Sequence, residues 1–163
     1  MVTASDMGNQ PVEISAIGYM PSEYSDKGGS YHEFSMLLGY TDLSELTERF
    51  NENWSSSPVE VFSDPELELL GVVGGEWLLF ELLEPFQYDG SSNLLLDLSW
   101  NGPVDPVYRR IYTMSWEDDV NSALVAISPD TAIGYTTTMV PNLLFVTTMD
   151  LEASTFAGIK TSF

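Results

Sequence analysis

The chain has 163 residues, 44% hydrophobic and 12% aromatic, and 25 acidic against 5 basic side chains give a formal charge of −20. That length and composition call for one globular domain with a sizeable core, not a disordered chain. The charge excludes nucleic acid as a partner, since nothing could neutralise phosphates, and it disfavours anionic membrane surfaces.

Taken in chain order, Val12, Ile14 and Ala16 alternate with Glu13 and Ser15, which predicts a strand to about Tyr19 with Ala16 on the inner face. Pro21 to Ser30 is a loop with Gly28-Gly29 at its tip. Tyr31 to Tyr40 alternates again, with Phe34, Met36, Leu38 and Tyr40 on one side. Asp42-Leu43-Ser44-Glu45 has the form of a capping box, so a short helix is expected over Leu43 to about Phe50, with Leu43, Leu46 and Phe50 inward. The loop Asn51 to Pro58 is anchored by Trp54. Val59 to Leu70 is extended and interrupted by Pro65, which predicts an edge strand or a bulge.

Trp77 to Leu83 is a strand with Leu78, Phe80 and Leu82 on one face. Tyr88-Asp89-Gly90-Ser91-Ser92-Asn93 carries turn chemistry. It feeds a buried strand with Leu94, Leu96, Leu98 and Trp100 on one face and Leu95, Asp97 and Ser99 on the other. Tyr108 to Met114, Ala123 to Ile127, Ile133 to Thr138 and Asn142 to Thr148 read as further strands, and Thr155 to Phe163 as a weak last one. Strands every ten residues or so, almost no helix, and Gly, Pro and Asn turns predict an all-β fold. The expected architecture is an antiparallel two-sheet β-sandwich, jelly-roll-like, with one short helix.

Three landmarks stand in order: MLLGYTDLSEL from Met36 to Leu46, Gly75-Glu76-Trp77 opening the strand that leads into LLEPFQYDGSSNLLLDLSW, and VPNLLFVTT from Val140 to Thr148. Over roughly Thr3 to Thr148 the set resembles a β-sandwich accessory module of secreted and cell-surface bacterial proteins, often found beside fibronectin-like repeats and C-terminal sorting domains. The resemblance implies an extracellular or cell-surface, non-catalytic module. It transfers no functional residue. It divides the chain into a sandwich domain, 1–148, and a tail, 149–163, that packs on its own domain or is donated to a neighbour. In that family a strand precedes the segment like Thr3 to Gly8. A sandwich without it exposes an open sheet edge, and the apolar tail residues Phe156, Ile159 and Phe163 suit strand addition into such an edge. The expected function is structural or adhesive, with self-association into a surface filament or binding to other surface proteins.

Catalytic chemistry finds little support. The single histidine, His32, sits in a strand, cysteine is absent, and no phosphate-cradling loop or nucleophile elbow occurs, so the chain reads as no enzyme. No cofactor is called for. Calcium is the cation that suits the carboxylates, with Glu117, Asp118, Asp119 and Asp89 as candidate ligands in turns. The alternative function is carbohydrate binding, in which Tyr24, Tyr31, Trp54 and Trp116, and with them Tyr19, would stack on a glycan. No run of about 18 apolar residues exists, so no membrane span is expected.

Overall fold

The first strand, β1 (Val12–Tyr19), sits at the middle of a three-stranded sheet and sets the core. Its alternation is broken by a bulge between Ile14 and Ala16. One extra residue there reverses the phase, so Ile14, Ile17 and Tyr19 enter the core cluster. Ala16, expected inward, turns to the opposite face, where it is buried all the same. The computed structural model describes residues 1–25, 28–103, 113–126 and 131–147. The strands expected over Tyr108 to Met114 and Thr155 to Phe163 lie largely or wholly outside them.

The fold is an all-β antiparallel sandwich. One sheet has the order β10 (Leu143–Thr147), β1, β4 (Leu78–Tyr88). The other has the order β3 (Val59–Leu70), β2 (Gly28–Thr41), β5 (Asn93–Pro103). Both interleave their inner faces, with Phe34, Met36, Leu38 and Leu94 from one sheet meeting Ile17, Phe80, Phe86 and Phe145 from the other. The phenyl rings of Phe34 and Phe80 stack across the core at 5.8 Å. β3 and β4 lie side by side on one flank, which leaves β5 and β10 on the other. Two small sheets complete the described structure: β6 (Ser115–Glu117) with β9 (Met139–Pro141), and β7 (Ala123–Val125) with β8 (Tyr135–Thr137).

Local chemistry follows the sequence in most places. Gly28 and Gly29 open β2 and pair with Leu70 and Leu69, so they are not a loop tip. β3 runs through Pro65 without a break, which is tolerable because β3 is an edge strand. β4 likewise runs on past Pro85 to Tyr88, with a bulge between Glu81 and Phe86. At the turn that follows, the Asp89 carboxylate accepts from the Ser91 and Ser92 amides at 2.7 and 2.9 Å. Gly90 has φ of 79°, and a Cβ there would lie 2.4 Å from the Pro11 nitrogen, so glycine is required twice over.

The helix expected over Leu43 to Phe50 does not form. The only helical turn among the described residues is a 3-10 turn at Phe50–Glu52. The physical reason is that the backbone groups a helix would use are bonded to distant segments. Leu46 N–H donates to Asn121 O, Phe50 N–H to Ala132 O, and Glu48 O accepts from Gly134 N–H. The buried Asn53 side chain completes the loop. It accepts from Thr47 N–H at 2.8 Å and donates to Thr47 O and Arg49 O. At the start of this loop Leu43 N–H donates to Thr41 Oγ1.

Candidate functional site

β5 is hydrogen-bonded to β2 along one side. On its other side Val2 pairs with Leu94, and beyond Leu94 no strand among the described residues pairs with it. A cavity of about 1150 Å³ lies there, lined by all seven consecutive residues from Leu95 to Asn101. Successive side chains of a strand point to opposite faces. A cavity touched by every one of seven in a row therefore lies along the strand's edge, not over one face. The lining also includes Tyr19 and Leu143 of the opposite sheet, together with Trp54 and Tyr135. Seven extended residues span roughly 23 Å, so the slot has the length of an ordinary strand.

The lining mixes apolar side chains with polar ones, among them Asn53, Asp97, Ser99, Asn101 and Ser122. The Asp97 side chain is on the outer face of β5, where its residue pairs with Leu37. Burial pushes its carboxyl above the usual carboxylate range, and the Leu98 amide opposes this by hydrogen bonding. The one ion pair among the described residues is Arg49 with Glu52, on the surface, so Asp97 has no cation beside it there. The Tyr19 hydroxyl is pushed above its ordinary value, first by burial and then by the negative charge of Asp97. Further along the same face Ser35 and Ser99 join Oγ to Oγ at 2.9 Å, and Asn101 donates to Glu33. The Met1 amino group, also on the cavity wall, donates to Ser122 O, and burial lowers its pKa to about 6.

The other edges differ from β5. β3 carries Asp64, Pro65, Glu66 and Glu68, and β4 carries Glu81, Glu84 and Pro85 around its bulge. Prolines, charges and bulges are what keep edge strands from pairing with foreign strands. β5 from Leu95 to Trp100 has no proline and one charge. β10 is buried over most of its length.

The residues singled out from sequence fall in separate places. Asp89 is committed to its own turn, with both oxygens accepting from Ser91 and Ser92. Its slight burial pushes its pKa up, but those hydrogen bonds prevail and hold it below the ordinary value. Glu117 ends β6, and Asp118 accepts from the Asp119 amide and from Ser122 Oγ. No group of three or more acidic or histidine side chains placed to hold a metal occurs among the described residues.

Of the aromatic residues, Tyr24 is 85% exposed. Tyr19 is a core residue against Phe80, and Tyr31 packs edge-on against Phe34 and Trp100. Trp54 lies so close over Gly39 that a Cβ there would be 3.0 Å from its ring. Trp116 holds its indole N–H buried without a partner among the described residues. Phe156, Ile159 and Phe163 lie outside the described residues. Sequence reasoning placed Asp97 on the outer face of its strand and assigned it no role. The available signal was a run from Leu94 to Trp100 apolar on both faces and interrupted by one acid.

Comparison with family models, with curated proteins and with solved structures returns no match.

Proposed function

We propose that the chain is a non-catalytic structural or adhesion module of the cell exterior, which assembles by accepting the segment Met149–Phe163 of another copy at the edge of β5 that no strand among the described residues covers. The observation that carries this reading is the cavity running beside seven consecutive residues of an edge strand. An edge strand presents unpaired N–H and C=O groups, and an incoming strand satisfies them while its alternate side chains fill the space on either side. The contrast with the proline- and acid-bearing β3 and β4 supports β5 as the accepting edge.

The magnitudes assign the work between backbone and side chains. Each backbone hydrogen bond contributes about 1 kcal/mol net, so pairing over seven residues gives roughly 5–7 kcal/mol. Association costs from about 4 to 15 kcal/mol or more in lost freedom. Backbone pairing alone is therefore close to balanced, and burial of Ile159 and Phe163, each worth roughly 2–3 kcal/mol, tips it.

The test is negative-stain electron microscopy and sedimentation of the full chain and of a chain ending at Thr148. Fibres or oligomers present only with the tail support the reading. Equal assembly of both chains, or monomers in both, overturns it.

A further inference from the structure

We infer that the loop after β1 and the segment joining β3 to β4 together form a docking surface for a basic, partly apolar segment of another protein. Three large apolar side chains meet solvent there: Tyr24 is 85% exposed, Leu70 70% and Val73 53%. Single exposed apolar residues are ordinary, whereas three on adjoining loops make a patch whose burial by a partner is favourable. None of the three lines the cavity beside β5, so this surface is separate from the accepting edge.

The two loops are locked to each other by their backbones. Gly75 N–H donates to Pro21 O at 2.8 Å. A Cβ on Gly74 would lie 2.6 Å from the Glu23 Cα, so only glycine lets the chains approach this closely. Within the first loop, Tyr24 N–H donates to Ser22 Oγ at 3.3 Å and Ser25 N–H to Ser22 O at 3.0 Å. Leu70 is fixed from the other side by pairing with Gly28 at the start of β2. Tyr24 and Val73 are thus each one residue from the contact of Glu23 with Gly74. A partner therefore meets loops already ordered by folding, which lowers the entropy cost of binding.

Charge selects the partner. Glu23, Glu66, Glu68 and Glu76 are all exposed around the patch. In sequence, residues 21–30 and 66–77 hold five acidic residues against one lysine, so the balance is negative. A second copy would set like charges face to face, and an anionic lipid surface would do the same. A segment with lysine or arginine beside its apolar side chains satisfies both the patch and its acidic surround. Tyr24 is the anchor, because a tyrosine offers a large contact area with few rotamers to restrict.

The experiment is fluorescence anisotropy of a labelled peptide of alternating leucine and lysine, titrated with the full chain. A serine–lysine peptide of equal charge is the control. The leucine–lysine peptide is expected to bind the more tightly, and to weaken as salt screens the exposed charges. Tyr24→Ser combined with Leu70→Ser keeps every charge, and both positions are exposed, so the fold is expected to hold. The double variant should weaken the leucine–lysine peptide about tenfold or more and leave the serine–lysine peptide unchanged. Equal affinity of the double variant and the wild type places the binding elsewhere on an acidic surface and overturns the inference. Loss in the double variant of self-association, read by sedimentation, or of adsorption to phosphatidylcholine vesicles overturns it too, since the occupant is then a second copy or a membrane.

Discussion

Val2 and Leu94 exchange two backbone hydrogen bonds, each 2.8 Å, and this one bridge covers the start of an edge of β5 that no other strand among the described residues pairs with. The adjoining backbone reinforces it, since Ala4 N–H donates to the Asn93 side chain at 3.0 Å and that side chain donates to Leu43 O. The bridge thus ties the N-terminal segment, β5 and the loop after β2 at one point. Val2 itself is buried in the core cluster.

Val2→Pro removes the donor to Leu94 O while keeping an apolar side chain. Leaving that carbonyl without its partner is expected to cost about 1–3 kcal/mol. A urea titration reads the loss as a lower midpoint at unchanged slope. Hydrogen exchange at the Leu94 amide should quicken beyond what the lost stability explains. An unchanged midpoint would show that the bridge contributes nothing.

Asn53 holds the loop that replaces the expected helix. Asn53→Ala deletes three hydrogen bonds at a buried site. The Thr47 amide and two carbonyls then lose their partner, and the expected cost is about 2–4 kcal/mol. Chemical denaturation measures it. A loss below about 0.5 kcal/mol, the level of an ordinary surface change, would mean that water serves those groups equally well.

Asp97 makes stability depend on pH in a defined sense. Its folded pKa is raised above the ordinary value of 3.8, with burial the main cause. The protonated form is therefore favoured by folding, and its contribution is fully present below pH 3.8 and lost as pH rises through the folded pKa. Asp97→Asn removes this loss. At pH 7 the variant is expected to melt higher than the wild type. The gap should shrink toward zero near pH 3.5. Thermal scans of the chain ending at Thr148, which is expected to be monomeric, keep assembly out of the comparison. A gap constant with pH would place its cause outside the carboxyl group.

The features legible in the sequence are those in which a residue acts on its immediate neighbours. The alternation of Phe34, Met36 and Leu38 named the inner face of β2, because side-chain direction in a strand depends on parity alone. The Asp89 turn was legible because its acceptor, its donors and its glycine lie within four residues.

Tertiary structure decided what depends on distant partners. The sequence around Leu43 to Phe50 satisfies a helix locally, yet Asn121, Ala132 and Gly134, more than 70 residues away, take the hydrogen bonds. The bulge in β1 exchanges Ala16 for Ile17 at the core because its neighbours β4 and β10 set the register, and no pattern within Val12 to Tyr19 records that. The edge of β5, which no strand among the described residues pairs with, is the extreme case. Its residues spell a buried strand, and so they do, but whether both sides of a strand are paired is a property of topology and not of its own side chains.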